Sequence, residues 1–301
     1  MVYFDKLMEC VPNFSAGRNA ATVEKLADCY RGKIGVKLLD YTSDPDHNRS
    51  VITAVGEPEA LLEAVFSSVR VARELIDLRL HEGAHPRVGA ADVIPFVPLR
   101  GINLQEAVAL AETLGKRVAA ELDIPVFLYE EAASAFHRRN LADVRRGNFE
   151  GLREKLLLPE WQPDFGSSVP HQSAGVAVIG ARRPLVAFNI NLNTDNLDLA
   201  RQIAGRVRYS SGGLPCCKAI GVYLAAQNQA QVSMNLTDYT QTGIHHAFEL
   251  VRLEARRLGV EIAGSELIGL APAKALLDCA GYYLQLENLS IEKILEQRIY
   301  E

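Results

Sequence analysis

Hydrophobic residues along the chain recur at two spacings, and this pattern predicts a succession of strands and helices. In the first half, short apolar runs predict five strands, over 8–14, 35–41, 50–55, 92–97 and 126–129. Apolar residues at helical spacing predict three helices, over 20–30, 58–76 and 104–122. Pro58 falls in the first turn of the second helix, a position that proline favours. The order is therefore β-α-β-β-α-β with an added α-β.

The same order begins again in the second half of the chain. The predicted strands cover 185–192, 219–224, 231–237 and 260–267, and the predicted helices cover 197–207, 244–258 and 273–286. Two consecutive β-α-β-β-α-β patterns are typical of ferredoxin-like lobes, each a sheet with helices on one face. We therefore predict an α/β (α+β) fold with two such lobes, over 1–181 and 182–301. A single mixed sheet across the whole chain is the alternative.

A loop-rich segment lies between the two patterns. Residues 159–173 contain three prolines, one glycine and three serines. This is the composition of turns rather than of strands or helices. The segment is the predicted place for the chain to pass between the lobes.

Two predicted strands of the second lobe carry rows of polar side chains. Gln231, Ser233 and Asn235 alternate with apolar residues, as do Asn189 and Asn191, so each set falls on one face of its strand. A half-solvated sheet shows the same alternation, but with Thr, Lys and Glu more often than with amides. The amide rows therefore predict a polar groove that hydrogen-bonds a ligand.

Composition and charge exclude several classes of protein. With 48% hydrophobic and 23% charged residues, the chain is globular rather than disordered. Its 32 Lys and Arg against 37 Asp and Glu are unlike a dedicated nucleic-acid binder. No apolar run reaches membrane-spanning length, and no secretory signal is visible. The five scattered cysteines predict free thiols in a reducing compartment, and we expect a cytoplasmic protein.

The densest cluster of reactive residues covers 77–92, between a predicted helix and a predicted strand. His81 and His85 have the spacing of helical zinc ligands, and Asp92 is a candidate third ligand of a metal-dependent hydrolase. However, Gly83 lies between the histidines, and Pro86 disfavours helical backbone at His85. A shared helix face, and hence a metal site, is therefore disfavoured.

A second interpretation makes His85 a general acid and base, because imidazole exchanges protons near neutral pH. Arg79 and Arg87 lie close in sequence and are candidates to hold an anionic substrate. A structural histidine in a loop is the alternative. At the N-terminus, Asn13 and Ser15 lie in a strand-turn-helix segment where backbone N–H groups can receive an anion, although ordinary helix capping explains them equally well.

Several motifs resemble the formiminotransferase family. They lie in order along nearly the whole chain: ECVPNFSAGRN at 9–19, DPDHNRSVIT at 44–53, GEPEA at 56–60, HEGAHPRVGAADVIPFVP at 81–98, NLADVRRGNFEGL at 140–152, PDFG at 163–166, LVAFNINL at 185–192, SSGGLP at 210–215, KAIGVYL at 218–224, QVSMNLTDY at 231–239 and GSELIGLAPAKALLD at 264–278. The length and order of these motifs make chance similarity improbable.

The resemblance implies an enzyme that moves the formimino group from N-formimino-L-glutamate to N5 of tetrahydrofolate, late in histidine degradation. It also implies two α/β lobes whose sheets face each other across a substrate tunnel, and a homodimer. Tetrahydrofolate would be a co-substrate, and no metal is expected. Because the chain ends at Glu301, before the cyclodeaminase domain of larger family members, we expect a separate cyclodeaminase to use the product.

The resemblance also carries site residues. The family's catalytic histidine corresponds to His85, and its folate-associated segment corresponds to Gly166, Ser167, Ser168, Val169, Pro170, His171, Gln172, Ser173, Ala174 and Gly175. The substrates bear several carboxylates, so Arg49, Arg79 and Arg87 are candidate clamps. The amide rows are candidate linings for the pterin and glutamate groups.

The chemistry implied by the family needs one proton removed from N5 and one added to the departing glutamate nitrogen. His85 is predicted to do both in turn. Three alternatives stay open: formyl transfer between 5-formyltetrahydrofolate and glutamate, the metal-dependent hydrolase described above, and a folate-binding module without turnover.

Overall fold

The computed structural model describes residues 5–83, 85–225 and 227–300. The chain divides into two compact units, the first ending at Arg182 and the second beginning at Arg183. Each unit has its own sheet and its own buried apolar core. The single mixed sheet is therefore wrong, and the prediction of two α/β lobes is confirmed.

The described part of the first unit contains seven strands and five α-helices. The strands are β1 (Leu7–Cys10), β2 (Asn13–Phe14), β3 (Val36–Asp44), β4 (Arg49–Gly56), β5 (Ala91–Arg100), β6 (Val126–Glu130) and β7 (Ala177–Ala181). The helices are α1 (Ala20–Asp28), α2 (Pro58–Leu75), α3 (Leu104–Leu122), α4 (Leu141–Arg145) and α5 (Leu152–Lys155).

The sheet of the first unit is ferredoxin-like with an extension. Strand β4 pairs with β3 on one side and with β1 and β2 on the other, and β1 and β2 pair in turn with β5, all antiparallel. Taking β1 and β2 as one strand, this is the spatial order 2-3-1-4 expected for β-α-β-β-α-β. Beyond β5, strands β7 and β6 are added in parallel.

The segment 159–173 belongs to the first unit. Strand β7 follows it and pairs with β5 and β6, so the chain leaves the first unit only after β7. The prediction that the chain passes between lobes within 159–173 is therefore wrong. A loop composition marks a turn but does not show which sheet the next strand joins.

The first predicted strand, over 8–14, is interrupted at Pro12. Proline cannot donate a backbone hydrogen bond, so the ladder breaks between β1 and β2. The Pro12 carbonyl still accepts a hydrogen bond from the N–H of Ile52 at 3.0 Å. The predicted strand is therefore divided into β1 and β2.

Helices α2 and α3 pack one apolar face on the sheet. Leu61, Val65 and Val69 of α2 are buried, at the spacing that predicted this helix. Helix α3 begins with a capping box, in which Asn103 and Glu106 each accept a hydrogen bond from the other's backbone N–H. Its bounds are those predicted from the sequence.

The described part of the second unit contains four strands and four α-helices. They are β8 (Val186–Leu192), α6 (Leu197–Val207), β9 (Cys217–Leu224), β10 (Gln229–Leu236), α7 (Ile244–Arg257), β11 (Ile262–Ile268), α8 (Ala273–Leu284) and α9 (Leu295–Tyr300). The antiparallel sheet has the order β11-β8-β10-β9. With the strands numbered within the unit this is 4-1-3-2, the same order as in the first unit read from the opposite edge.

All five cysteines are free thiols, and Cys10 and Cys217 are buried. Among the residues described, no helix is both long enough and apolar enough to span a bilayer.

Candidate active site

A small open cavity lies in the first unit, where three loops meet at one end of the sheet. The segment after β2, the β3–β4 turn and the α2–β5 loop each contribute to its wall. The lining residues are Phe14, Ser15, His47, Asn48, Arg49, His81, His85, Arg87 and Asp92. Six residues singled out in the sequence analysis therefore lie together: Ser15, Arg49, His81, His85, Arg87 and Asp92.

His85 contacts Arg49 directly. The Nη1 atom of Arg49 lies 2.7 Å from Nε2 of His85. Because a guanidinium can only donate, Nε2 accepts this hydrogen bond and the imidazole is neutral. Burial, together with the positive charges of Arg49 and Arg145, lowers the pKa of His85 to about 4. At neutral pH the ring is therefore a base without a proton on Nε2.

Arg49 begins strand β4 and points into the cavity. Its Nη2 donates to the side-chain oxygen of Asn13. Its Nε is buried and has no hydrogen-bond partner among the described residues. Burial and the charge of Arg145 lower the pKa of Arg49 to about 10, so the guanidinium remains charged at neutral pH.

Asp92 and Arg145 form a buried ion pair beside these residues. The side chain of Asp92 is 3% exposed and that of Arg145 is 11% exposed. The other carboxylate oxygen of Asp92 accepts the N–H of Val88 at 2.8 Å and of Gly89 at 3.3 Å. Asp92 therefore fixes the end of the α2–β5 loop and compensates positive charge near His85.

The β3–β4 turn holds a second histidine against a carboxylate. One oxygen of Asp44 accepts the N–H groups of Asp46 and His47, and the other lies 2.6 Å from Nδ1 of His47. The rings of His47 and His85 meet edge to face, with centroids 6.1 Å apart. The carboxylate thus orients His47 in the wall of the cavity.

Asn48 joins the three loops. It has left-handed backbone, with φ of 47°, which asparagine tolerates. Its side-chain oxygen accepts the N–H of Gly17 at 2.9 Å, and its amide donates to the carbonyl of Glu82 at 3.0 Å. A Cβ on Gly83 would lie 2.3 Å from the carbonyl oxygen of His47, so the loops pack too closely for a side chain there.

His81 is held by protein contacts on both ring nitrogens. Nε of Arg87 donates to Nδ1 at 3.1 Å, so Nε2 donates to the carbonyl of Asn48 at 2.9 Å. Arg87 also forms a bidentate ion pair with Glu150, in which Nη1 and Nη2 donate to the two carboxylate oxygens at 2.9 and 2.7 Å. Because these contacts use the atoms that a metal ion would need, His81 fits a structural role better than a ligand role. Within the described residues, no group of three His, Cys, Asp or Glu is arranged to hold a metal ion.

Arg79 lies outside the cavity wall. Its guanidinium makes three hydrogen bonds to the carboxylate of Asp77, and its side chain is half exposed. The structure therefore gives Arg79 an ion pair of its own rather than a place beside His85.

The predicted folate segment 166–175 borders the α2–β5 loop. Residues 166–169 are exposed, and His171 and Gly175 close a tight turn by mutual backbone hydrogen bonds. The carbonyls of Ser173 and Ala174 accept the N–H groups of Leu78 and Ala90, at 2.8 and 2.9 Å. One end of the segment is therefore fixed to the loop that carries His85.

In the second unit, the amide rows of β8 and β10 share one face of the sheet. Gln231 pairs in register with Asn191, and Ser233 with Asn189. The amide of Gln231 donates to the side-chain oxygen of Asn191 at 2.7 Å, and Gln231 is only 3% exposed. Between these residues the apolar positions of β10 are buried, so the predicted alternation is confirmed.

Glu266 completes this face, and the sequence reasoning missed it. One of its carboxylate oxygens accepts from Asn191 at 3.1 Å and the other from Gln231 at 3.2 Å. Its position opposite Asn189, in the edge strand β11, could have been found by extending the same period of two to the strand predicted at 260–267.

Sequence reasoning also missed His47, Asn48, Arg145 and Glu150 as parts of the cavity or its support. All four lie within motifs quoted for the family resemblance, which is the signal that marked their segments. Their individual contacts depend on loops that meet only in the folded chain. Asp92 and Arg145 are separated by 53 residues, so no local spacing indicates their pairing.

Comparisons with known proteins agree with this organisation. A family model for the formiminotransferase domain, N-terminal subdomain, matches residues 7–182, and a model for the formiminotransferase domain matches residues 187–300. Glutamate formimidoyltransferase of Streptococcus pyogenes serotype M1 is 51% identical over 295 residues, covering 98% of this chain and 99% of that protein. The enzyme of the same name from Thermoplasma acidophilum is 48% identical, covering 97% of each chain.

A longer relative matches over part of its length. Formimidoyltransferase-cyclodeaminase of Sus scrofa is 46% identical over 291 residues, covering 94% of this chain and 53% of that protein. Two family models matched in chain order, with relatives about half identical over nearly the full length, show that the chain belongs to the formiminotransferase family and is a transferase.

Proposed function

We propose that this chain transfers the formimino group from N-formimino-L-glutamate to N5 of tetrahydrofolate, giving 5-formiminotetrahydrofolate and L-glutamate. The main structural support for this proposal is the state of His85. In this member of the family, His85 lines the cavity as a neutral imidazole whose Nε2 contacts Arg49. A neutral imidazole beside cationic side chains suits proton abstraction next to an anionic substrate.

In the proposed reaction, His85 acts as a proton shuttle. N5 attacks the amidinium carbon of the donor and forms a tetrahedral intermediate. His85 takes the proton from N5 and then gives it to the glutamate nitrogen as the bond from carbon to that nitrogen breaks. General acid and base catalysis of this kind contributes about 10²–10⁴-fold to the rate. The protonated amidine is already an electrophile, so the proposal includes no metal.

The remaining candidate residues are proposed to bind the substrates. Arg49 and Arg87 line the cavity and are proposed to bind carboxylates of the donor, although Arg87 would first have to exchange its contact with Glu150. The amide face that contains Asn189 and Asn191 supports binding of the pterin and glutamate groups of tetrahydrofolate. The segment 166–175 is proposed to contact the folate as well, since its fixed end borders the loop of His85.

The cellular setting is part of the proposal and rests on the family resemblance. We propose a role in histidine breakdown, in the cytoplasm, as a homodimer. The free thiols support a reducing compartment.

The test is turnover of N-formimino-L-glutamate with tetrahydrofolate by the wild type and by His85→Gln. Glutamine keeps an acceptor for Arg49 but cannot take up a proton, so a folded variant should lose activity by about 10²–10⁴-fold. Circular dichroism and urea unfolding check that the variant is folded. Equal turnover by both proteins would remove His85 from the chemistry.

A wild type without turnover would overturn the proposed donor. The same samples would then be tested with 5-formyltetrahydrofolate and glutamate, which separates the formyl transferase from the binding module. Tetrahydrofolate binding that persists in His85→Gln, without turnover of either donor by the wild type, would favour the binding module.

A further inference from the structure

Arg49 is hydrogen-bonded to Nε2 of His85, the atom that must accept a proton in the proposed reaction. Its Nη1 donates to Nε2 of His85 at 2.7 Å, in the wall of the cavity. A base cannot take a proton at a nitrogen whose lone pair already accepts a hydrogen bond from a cation. The contact seen here is therefore a resting arrangement, which must open before N5 can lose its proton to His85.

The contacts of Arg49 are suited to such a change. Its guanidinium donates to the neutral side chains of Asn13 and His85, and its Nε is buried without a hydrogen-bond partner among the described residues. The nearby carboxylates are engaged elsewhere, Asp92 by Arg145 and Asp44 by His47. A buried guanidinium held by neutral groups favours any carboxylate that enters the cavity.

We propose that Arg49 is a cap on His85 that the donor releases. A carboxylate of the bound donor draws the guanidinium from Nε2 of His85 to itself, which frees the base and compensates the positive charge that opposes its protonation. Substrate binding thereby switches on the catalytic base. This inference rests on the proposed function for the identity of the donor as a substituted glutamate.

Once Arg49 has left His85, the transfer balances in protons and electron pairs. The bond between N5 and the amidinium carbon forms, and the π electrons of the carbon–nitrogen double bond move to nitrogen. Nε2 of His85 takes the proton from N5 and passes it to the glutamate nitrogen. The lone pair of the remaining amino group then re-forms the double bond, and the pair of the breaking bond leaves with glutamate. His85 ends neutral, so the Arg49 contact can form again.

The other ionisable groups around His85 do not fit this role. Arg145 is held by its ion pair with Asp92, and Arg87 by Glu150. His47 faces the ring edge to face but is bound to Asp44. His81 is fixed by the carbonyl of Asn48 and by Arg87. Arg49 touches Nε2 of His85 and is held by neutral side chains rather than by a carboxylate of the described residues.

The test follows the protonation of His85 by NMR of protein labelled with ¹⁵N at its seven histidines. The signal missing from His85→Gln identifies His85. In the free wild type the ring should be neutral at pH 6, since its pKa is about 4. Saturating L-glutamate, the proposed product, should raise the titration midpoint by about one unit or more, a tenfold change in proton affinity.

Arg49→Met removes the cap without removing the base. We expect the titration midpoint of the free variant to rise toward the ordinary histidine value but to stay below it, because burial and Arg145 still oppose protonation, and we expect its response to glutamate to be lost. Arg153→Met is the matched control, because Arg153 is an exposed arginine on α5 of the same unit. It should titrate and respond like the wild type.

Kinetics supply a second readout. When kcat/KM is plotted against pH, its fall on the acid side (the acid limb) reports the pKa of the free enzyme. The acid limb of kcat reports the pKa of the enzyme–substrate complex. In the wild type, the limb of kcat should therefore lie at higher pH than the limb of kcat/KM. In Arg49→Met the two should coincide and KM for the donor should rise, whereas a purely structural role would lower activity without merging the limbs.

The outcomes separate the inference from the proposed function. If the wild type turns over the donor but glutamate leaves the His85 midpoint unchanged, or if Arg49→Met titrates like the wild type, the cap is wrong while the proposed function stands. If the wild type has no turnover but Arg49→Met still raises the free midpoint, the proposed donor is wrong while the contact between Arg49 and His85 is supported.

Discussion

The two units have the same ferredoxin-like strand order but carry their polar residues in different places. In the first unit, charged side chains gather where loops meet at the end of the sheet, and Asp92, Arg145, Arg49 and His85 are largely shielded from water. In the second unit, polar residues lie on the face of the sheet itself and are mostly neutral amides. One fold thus supports two different kinds of polar surface.

The difference follows from what each position offers. A strand presents side chains at fixed alternate positions, which suits a row of hydrogen-bonding amides. Its backbone N–H groups are used in the sheet and cannot solvate a buried charge. Loops leave N–H groups available, such as those of Val88 and Gly89 that bind Asp92. Buried charges, and with them a shifted histidine pKa, are therefore placed in loops.

The largest expected effect comes from removing the charge compensation of the first unit. Asp92→Ala leaves Arg145 buried without its partner, and we expect a loss of about 3–5 kcal/mol in the free energy of unfolding. Urea unfolding measures it. Glu63→Ala is the control, because Glu63 forms an exposed ion pair with Arg117, and it should cost less than about 1 kcal/mol. Similar losses in both variants would show that the buried pair has no special role.

The next effect tests how closely the loops of the first unit must pack. Gly83→Ala places a Cβ against the carbonyl of His47, and we expect a loss of about 1–3 kcal/mol together with reduced turnover. Gly205→Ala in α6 of the second unit meets no atom within 4 Å and should stabilise by about 0.5–1 kcal/mol. Urea unfolding and turnover are measured on both variants. A Gly83→Ala variant with the stability and the turnover of the wild type would contradict the loop-packing account.

A smaller effect is expected on the amide face of the second unit. Asn191→Ala removes a partner of both Gln231 and Glu266, and under the proposed function KM for tetrahydrofolate should rise about tenfold with kcat little changed. Steady-state kinetics measure this. Variants of His85 should instead lower kcat, so a fall in kcat for Asn191→Ala would show that the two units do not divide binding and chemistry in this way.

The last effect, which develops only below pH 6.5, is the dependence of stability on pH. His85 has a folded pKa of about 4, below the ordinary value of 6.5, so as the pH falls below 6.5 the unfolded state takes up a proton that the folded state does not. The stabilisation is present above pH 6.5 and is lost as the pH falls toward 4. His85→Gln should therefore lose less stability than the wild type between pH 7 and 5.

His245 in the second unit gives the matched comparison. Burial lowers its pKa as well, with a contribution from His246, but it lies among aromatic rings rather than between buried arginines. The difference between wild type and variant should be smaller for His245→Gln. Urea unfolding at several pH values checks both, and a larger effect at His245 would reverse the ranking.

Much of the secondary structure could be predicted from local patterns. Helix α3 has its predicted bounds because its apolar stripe and its cap at Asn103 lie in adjacent residues. The alternation along β10 likewise needs only the period of two. The passage between units within 159–173 was predicted wrongly, because the pairing of β7 with β5 joins residues that are 85 positions apart.

The candidate site shows the same division. The motif that contains His85 and the charged residues around it marked the α2–β5 loop, and the amides marked the sheet face. The sequence alone could not show that Arg49 contacts His85, that Arg145 pairs with Asp92, or that Arg79 turns to Asp77. Which cation approaches which acceptor depends on distances between loops rather than on distances along the chain.

For this protein, the sequence by itself determined the type and order of most elements, the family, and the residues capable of chemistry, because periodicity, caps and motifs are local. Only the tertiary structure decided which of those residues meet, how deeply each is buried, and hence that His85 is neutral beneath Arg49. Charge and burial act through space at a few ångströms, and segments distant in sequence reach those distances only when the sheet brings their loops together.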